Sequence, residues 1–466
     1  MRFLLRRSRR NTEPASTVAT VPNAVAHHEP PLIKTLPQLS EQNLVKALAK
    51  LSPEEIRSEY GHDPWLANYF VNWWEYLNGV AELSTYPWNV TIPIADVCNA
   101  RCTFCTSWLA GTRVVGLEEI DNFAEVLRHA RLIGIAGHGE PLAHPQCEEV
   151  FARIGSYTDS RAQSYIITNG VFLERRRKAL ESVHITTYNI SLNAATAKTH
   201  DVVMGLGADA FGNVLEAIRY LIHTRDSRHP SQPKIFVNIS FVLTRDNIQE
   251  AADFVSLGNE LGVDNIYLRT LMPIEVWPEG LNYHLLPPYL HPEFPAHVAA
   301  AKVAIAASKA NVVADPVSWS APVLSKRLEE LVQLNPPSYN ERKTSMKDKA
   351  VRSFYSEDFE GEMGRPLEGA AAAFDLFDDS NPFGRKAHFH CYFVYHDLIL
   401  NDFNFRMIPC CYMREVPGFE SVRFNGKQPF MAYWNSPAFV TLRRRLKEGP
   451  LYGACRRCPA QAVPFE

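Results

Sequence analysis

From residue 90 to about residue 271, short runs rich in β-branched and other apolar residues alternate with longer amphipathic stretches. Parallel strands need a long crossover between them, usually a helix, so this alternation predicts repeated βα units and a parallel sheet. Six such units favour the α/β class and an incomplete (β/α)6 TIM-type barrel. The strands are predicted at 90–95, 132–136, 165–168, 188–192, 235–243 and 266–271.

Reactive side chains are expected directly after these strands. In barrels of this kind the loops that follow the strands converge above a packed interior, and the chemistry is located there. The predicted helices between the strands are 120–131, 172–182, 211–224 and 248–261.

The rest of the 466-residue chain is arranged around a core that we expect at 91–325. Residues 1–38 contain five prolines and few large apolar side chains, which is typical of a flexible leader. A helical segment is predicted at 39–90, where residues 52–55 read Ser-Pro-Glu-Glu, a capping box with proline at the first helical position. The remaining segments are a linker or lid insert at 326–385, with a disordered surface insert as the alternative, and a small C-terminal domain at 386–466.

The charge balance and the cysteine distribution restrict the partners and the compartment. With 48 Lys and Arg against 51 Asp and Glu, the net charge of -3 argues against nucleic acid or an anionic membrane as a global partner. The arginine-rich start is not followed by the apolar stretch of a secretory signal, and no run of about 18 apolar residues is present. Clustered thiols suit a reducing compartment, so a cytoplasmic location is expected.

Three cysteines directly follow the first predicted strand. Cys98, Cys102 and Cys105 have the spacing CxxxCxxC. Three thiolates on one short loop can ligate three irons of a 4Fe-4S cluster and leave the fourth iron open for a small molecule that carries an amine and a carboxylate. Zinc is the alternative, but a closed zinc site needs a fourth ligand, which would have to come from a distant part of the chain.

This loop resembles the signature of the radical S-adenosylmethionine (radical SAM) superfamily. The resemblance implies that Cys98, Cys102 and Cys105 hold the cluster whose electron cleaves SAM, and that the resulting 5′-deoxyadenosyl radical abstracts hydrogen from a substrate. Phe104 matches the aromatic position that packs near the adenine of SAM in this family. An electron donor such as a flavodoxin or a ferredoxin is implied as a partner.

Further matches to the same family recur at the ends of the next strands. Residues 137–141 read GHGEP and resemble its GGEP motif, which implies that Glu140 binds the methionine amino group of SAM. His138 departs from the usual small residue. The residues that the motifs imply as SAM-binding are Gly137, Gly139, Glu140 and Pro141 after the second strand, Asn169 of the TNG sequence after the third, and Ser191 and Asn193 at the end of the fourth.

Some of these residues have competing interpretations. Asn193 also suits the start of a capped helix. Arg245 and Arg269, at the last two strands, offer cations for the carboxylate of SAM or for an anionic substrate, but ion pairs within the protein are the alternative for each.

A second group of cysteines occupies the last 76 residues, at positions 391, 410, 411, 455 and 458. The arrangement resembles the twitch domain, a shortened SPASM domain that binds one auxiliary cluster. The resemblance implies Cys391, Cys410, Cys455 and Cys458 as ligands of an auxiliary 4Fe-4S cluster, with Cys411 as neighbour or substitute. A structural zinc site with the same four thiols is the alternative, because CxxC suits zinc as well.

The resemblance implies an enzyme with two 4Fe-4S clusters. We expect it to act on a small polar metabolite such as a sugar or an aminocyclitol, by oxidation or epimerisation, with the auxiliary cluster transferring electrons. A peptide-modifying maturase is the second hypothesis, although residues 39–90 look too short and too helical for the winged-helix peptide-recognition domain that such enzymes often carry. A non-catalytic metal-binding protein is the third.

Overall fold

The structure is a computed structural model that describes residues 32–105, 112–137, 139–270, 288, 291–314, 391–400, 405–410, 419 and 421–449. Its centre is one nine-stranded, mostly parallel sheet with the order β7-β6-β5-β4-β3-β2-β1-β8-β9. Only the β8–β9 pair is antiparallel among the pairs of this sheet. The strands are β1 (Asn89–Ile92), β2 (Leu132–Ile135), β3 (Gln163–Thr168), β4 (Ile185–Ser191), β5 (Phe236–Leu243), β6 (Asn265–Thr270), β7 (Asn311–Ala314), β8 (Asp397–Leu400) and β9 (Met407–Ile408).

Helices connect the parallel strands and precede and follow the sheet. The helices before the sheet are α1 (Glu41–Leu48), α2 (Pro53–Tyr60) and α3 (Pro64–Asn78). Those between the strands β1 and β7 are α4 (Leu117–Asp121), α5 (Ala124–His129), α6 (Cys147–Tyr157), α7 (Arg177–Ser182), α8 (Ala197–Met204), α9 (Ala210–Asp226), α10 (Ala251–Leu261) and α11 (Phe294–Ala307). The C-terminal part contains α12 (Phe393–His396), α13 (Phe430–Trp434) and α14 (Pro437–Glu448).

The predicted α/β class and partial barrel are confirmed. All six predicted strands are present and pair in parallel, and the sheet does not close on itself. The predicted helix at 120–131 is divided into α4 and α5, because Asn122 and Phe123 do not continue the helical hydrogen bonding. The seventh strand and the β8–β9 pair were not predicted from the sequence.

The N-terminal segment is helical, as predicted. The capping box at Ser52 is confirmed, since its side chain accepts a hydrogen bond from the Glu55 backbone N–H and the Glu55 carboxylate accepts one from the Ser52 N–H. The predicted leader at 1–38 needs a correction at its end. Leu32–Gln38 forms a 3-10 helix because Leu36 is buried and the Tyr60 hydroxyl donates to the Ile33 carbonyl. Residues 1–31 lie outside the described residues.

The C-terminal part extends the sheet of the core. Strand β8 pairs in parallel with β1, and the Asn89 amide donates to the buried Asp397 carboxylate at 2.8 Å. The predicted boundary at residue 386 therefore does not separate two sheets. The predicted segment 326–385 lies outside the described residues.

The two faces of the sheet differ in polarity. Helix α10 packs against the face that carries Ile239 and Ile266. Its Gly258 lies so close to this face that an added Cβ would be 2.5 Å from Ile266 Cδ1 and 3.1 Å from Ile239 Cδ1. The opposite face carries an amide ladder across four strands, with 2.7–3.0 Å between successive amides. The ladder consists of Asn189, Asn238, Asn265 and Asn311. This face is the interior of the partial barrel, and the amide ladder gives it a polar band.

Acid should weaken the fold through His396. This side chain is buried among aromatic rings, and burial lowers its pKa to about 3. The unfolded chain binds this proton near pH 6.5, so stability is complete above pH 6.5 and is lost as the pH falls toward 3. Between pH 7 and pH 5 we expect His396 to account for a loss of about 2 kcal/mol.

Chemical unfolding over this pH range measures the effect. In the His396→Phe variant the pH dependence of the unfolding free energy should be shallower, whereas His62→Phe, at an exposed position, should leave the slope as in the wild type. An unchanged slope in His396→Phe would contradict the prediction.

Candidate functional site

The cysteine loop lies at the carboxyl end of β1, where the sequence predicts it. Two neighbouring segments hold its backbone. Arg101 N–H donates to the Met204 carbonyl at 2.8 Å, and Thr103 N–H donates to the Val203 carbonyl at 2.9 Å. The loop therefore rests on the C-terminal end of α8.

The three thiols of the loop lie close enough to affect one another. Burial is the main cause that raises the pKa of Cys98 to about 11, and Cys105 adds to it. Burial raises the pKa of Cys102 well above the ordinary value, with further contributions from Cys105 and Cys98. Thiols bind metal as thiolates, so metal binding here must displace protons.

The donor set fits an iron-sulfur cluster in kind and in spacing. Three soft thiolate ligands on one loop suit iron-sulfur chemistry. Within the described ranges, no group of three or more His, Cys, Asp or Glu side chains is drawn together tightly enough to hold a single metal ion. A cluster needs a wider spread of ligands than one ion, so this finding does not bear on a cluster at the cysteine loop.

Glu140 lies beside this loop. The Glu140 N–H donates to the Val97 carbonyl at 2.9 Å, immediately before Cys98. Its carboxylate is buried, and burial raises the pKa of Glu140 to about 7 against three hydrogen bonds that lower it. The donors are Leu142 N–H at 3.1 Å, the Thr168 hydroxyl at 2.7 Å and Asn169 N–H at 2.7 Å. A carboxylate has about four acceptor positions, so one position on Oε2 is left for a further donor such as an amine.

The TNG sequence connects Glu140 to the cysteine loop. Thr168 and Asn169 bind the carboxylate, and the Asn169 side-chain amide donates to the Asn99 side-chain oxygen at 2.8 Å. Asn99 directly follows Cys98. The structure thus brings together the loops that follow β1, β2 and β3, and Thr168 and Asn99 are site residues that the sequence analysis did not select. The one signal for Thr168 was its place in the TNG sequence.

The glycines of the GHGEP motif allow a close approach of two loops. A Cβ on Gly139 would meet the carbonyl oxygen of Ala95 and would lie 2.5 Å from that of Val97. A Cβ on Gly137 would lie 2.6 Å from Pro93 Cβ. Pro141 begins a 3-10 helix at Pro141–Ala143. His138 lies outside the described residues.

Replacing Gly139 by alanine should therefore destabilise the protein by about 1–3 kcal/mol, the usual cost of overpacking. The added methyl group would press against backbone, which cannot rotate away. Urea unfolding of the purified protein measures this loss. Gly212→Ala in α9 is the matched control, because nothing lies within 4 Å of its added Cβ and alanine is the better helix former. A Gly139→Ala protein as stable as the wild type would contradict the prediction.

Asn193 is used within the protein. It is buried with a φ of 56°, its side-chain oxygen accepts a hydrogen bond from Val242 N–H at 2.8 Å, and its amide donates to Met204 Sδ at 3.1 Å. The alternative role as a helix cap is wrong, because Thr196 caps α8. Each amide atom keeps a second hydrogen-bonding position, so a contact of Asn193 with SAM stays a prediction.

The remaining predicted SAM-binding residues stay predictions. Phe104 and Ser191 are half-buried, and Ser191 lies on the polar interior face, opposite Ser240 of β5. Arg245 lies 3.8 Å from the Asp246 carboxylate, which agrees with its alternative role in an ion pair. The Arg269 guanidinium lies over the Tyr267 ring at 4.4 Å.

Two of the predicted auxiliary ligands are described. Cys391 is half-buried and precedes α12, and Cys410 is buried and follows β9 by two residues. Because β8 and β9 are antiparallel, Cys391 and Cys410 both lie toward the amino end of β8. The cysteine loop at 98–105 lies at the carboxyl end of the parallel strands. Cys411, Cys455 and Cys458 lie outside the described residues.

The chain contains a radical SAM domain. Residues 92–257 match the family model described as the Radical SAM superfamily, and this domain belongs to that superfamily, whose members use a 4Fe-4S cluster and SAM.

Several known proteins are similar to the chain. GTP 3',8-cyclase of Chlorobaculum tepidum is 29% identical over 198 residues, which cover 41% of this chain and 56% of the relative. Probable GTP 3',8-cyclase of Saccharolobus islandicus is 27% identical over 192 residues, which cover 40% of this chain and 58% of the relative. The match thus spans somewhat over half the length of these curated relatives.

Among solved structures, Streptococcus suis SuiB bound to S-adenosylmethionine aligns with a TM-score of 0.48 and 12% identity, over 84% of this chain and 77% of SuiB. Among the described residues, no helix has the length and apolar character to cross a bilayer.

Proposed function

We propose that this protein is a radical SAM enzyme that acts on a small polar metabolite. When bound, the cluster and SAM would supply a 5′-deoxyadenosyl radical that abstracts hydrogen from carbon. The chain's own residues would hold these groups: Cys98, Cys102 and Cys105 the cluster, and Glu140 the amino group of SAM.

One observation carries the proposal, namely the junction of the cysteine loop with the Glu140 carboxylate. Asn169 contacts both parts, through its backbone N–H to Glu140 and its side chain to Asn99. An amine donor that takes the remaining acceptor position of Glu140 would therefore be held next to the three thiols. Amine and iron must be adjacent in this way if one molecule is to contact both.

The interior face supports a polar substrate. On strands β1–β8 this face presents amides and hydroxyls among apolar side chains, together with a cation at Arg269 and an acid at Asp397, whose carboxylate accepts a hydrogen bond from Asn89. Such a surface offers hydrogen-bond donors and acceptors to a hydroxyl-rich molecule. The curated relatives are named for GTP, which is a small anionic metabolite, and this agrees with the proposal.

A peptide substrate is the second hypothesis, and the described N-terminal residues speak against the recognition domain it often uses. Residues 32–88 contain helices and no strand in the part that the structure describes, whereas the wing of a winged helix is built from strands. A peptide could still bind without such a domain. Turnover with a peptide in the substrate test below would support this alternative.

The auxiliary cluster remains part of the proposal. Cys391 and Cys410, together with Cys455 and Cys458, would hold it and transfer an electron during substrate oxidation. Full thiolate ligation leaves no open iron, so electron transfer is the role that its ligand set allows.

Anaerobic reconstitution with iron and sulfide tests the proposal. We expect about eight irons per chain and formation of 5′-deoxyadenosine from SAM when a reductant such as dithionite is added. About four irons with SAM cleavage retained would refute the auxiliary cluster alone. Bound zinc in place of iron, or iron without any SAM cleavage, would refute the enzyme and favour a non-catalytic metal-binding protein.

The substrate class is tested by stimulation of SAM cleavage. Sugars, sugar phosphates, nucleotides and aminocyclitols are added separately to the reconstituted protein, alongside short peptides. Turnover with one of the metabolites supports the proposal, and turnover with a peptide alone overturns it in favour of a maturase.

A further inference from the structure

The C-terminal end of helix α8 is hydrogen-bonded to the cysteine loop. The carbonyl groups of Val203 and Met204, at its C-terminal end, accept hydrogen bonds from Thr103 and Arg101 of the loop. The helix ends at Gly205, whose φ of 61° lies in the left-handed region. A Cβ on Gly205 would lie 2.9 Å from Arg101 Cβ, so only glycine permits this close approach of the loop.

The amino end of α8 is held just as firmly. The Glu250 carboxylate accepts hydrogen bonds from the backbone N–H groups of Ala195 and Thr196 and from the hydroxyls of Thr196 and Thr199, at 2.5–3.1 Å. Glu250 is itself buried. Because both ends of the short helix are fixed, the side chains on its buried face have defined positions relative to the loop.

On the buried face of α8, the Met204 side chain contacts Cys102, one of the predicted cluster ligands. It is buried, and its sulfur lies 3.5 Å from Cys102 Sγ. In the absence of metal the Cys102 thiol donates to this sulfur. Once Cys102 is a thiolate ligand it has no hydrogen to donate, and a thioether has none to offer in return.

Asn193 fixes the position of the Met204 sulfur. The Asn193 side-chain oxygen accepts a hydrogen bond from Val242 N–H at 2.8 Å, which turns the amide nitrogen toward Met204 Sδ at 3.1 Å. The Asn193 backbone carbonyl is held in turn by the Asn247 side chain. This network directs the nearby amide donor onto the methionine and away from Cys102.

We propose that Met204 is a positioning residue that shields the Cys102 ligand, because its thioether keeps water and hydrogen-bond donors away from this sulfur. The inference rests on the proposed cluster at Cys98, Cys102 and Cys105. Hydrogen bonds to cluster sulfurs and exposure to solvent both influence the reduction potential of such clusters. A thioether on this side of the sulfur supplies no hydrogen-bond donor, which favours the oxidised state of a cluster that must be a strong reductant to cleave SAM.

Three substitutions at this position separate shielding from simple packing. Met204→Gln places an amide donor of similar size next to Cys102, Met204→Leu keeps an apolar side chain without a donor, and Met204→Ala opens space for water. Anaerobic redox titrations, monitored by electron paramagnetic resonance, give the potential of each reconstituted full-length protein. The signal that changes when SAM is added identifies the cluster at Cys102 and distinguishes it from an auxiliary cluster.

We expect the reduction equilibrium to shift at least tenfold toward the reduced state in Met204→Gln, which corresponds to 59 mV for a one-electron couple. Met204→Ala should shift it in the same direction and release iron to a chelator faster, whereas Met204→Leu should keep the wild-type potential. If Met204→Gln does not fold, the difference in reduction potential between Met204→Ala and Met204→Leu tests the inference.

Equal potentials in all folded variants would overturn the inference, and so would a shift in Met204→Leu as large as that in the other variants. Failure of the proposed function itself would be seen separately, because the wild-type protein would then bind no cluster or cleave no SAM.

Discussion

Replacing Cys102 by alanine should abolish the formation of 5′-deoxyadenosine and remove about four irons per chain. Cys102 is the middle ligand of the loop, and the other two thiols alone cannot hold a cluster that keeps one iron open. Iron content and SAM cleavage of the anaerobically reconstituted variant are the measurements. Any auxiliary cluster should remain, so the iron content should fall by half and not to zero.

Cys147→Ala is the matched control for this experiment. Cys147 is fully buried in α6, and burial raises the pKa of its thiol to about 12, so it stays protonated at neutral pH. Its removal should leave both iron content and SAM cleavage at wild-type values. Retained cleavage in Cys102→Ala, or equal losses in both variants, would contradict the assignment of the cysteine loop.

Replacing Arg443 by methionine should destabilise the protein by about 3–5 kcal/mol. Its guanidinium is completely buried, and burial lowers its pKa to about 9. It donates to the carbonyls of Val394 at 2.8 Å, Trp434 at 3.0 Å and Ala81 at 3.2 Å. Methionine would fill most of the volume but would leave these buried acceptors without a donor, and each such group is costly.

The effect of Arg443 also concerns the connection between the two ends of the chain. Ala81 follows the N-terminal helices, whereas Val394 and Trp434 belong to the C-terminal part, so one side chain links the two parts. Denaturant unfolding measures the loss. Arg444→Met, at the neighbouring exposed position, should change the unfolding free energy by less than about 0.5 kcal/mol. Similar losses in both variants would contradict the role of the buried guanidinium.

The core of the fold could be predicted from the sequence because its signals are local. The strands β1 to β6 are short apolar runs and the helices between them have their own amphipathic pattern, so each βα unit is visible within about 40 residues. Strand β8 could not be assigned in the same way. Its four residues acquire their role only by pairing with β1, which lies some 300 residues earlier in the chain.

The candidate site shows the same division. The cysteine spacing and the GHGEP sequence are contiguous motifs, and the structure places both at the carboxyl ends of strands. Asn193 was expected to contact SAM or to begin a helix, yet its amide is directed to Met204 and Val242. These partners come from α8 and β5, and no pattern around residue 193 contains information about them.

The pairing of β8 with β1 has a consequence for how the chain acquires its shape during synthesis. One side of the first strand stays without its neighbour until residue 400 has left the ribosome, after nearly the whole barrel has been made. Contacts that span such a distance in the chain slow the search for the final arrangement and leave an unpaired edge open to aggregation in the meantime. The nascent protein therefore has a long vulnerable interval, in which a chaperone bound at that edge would be of most use.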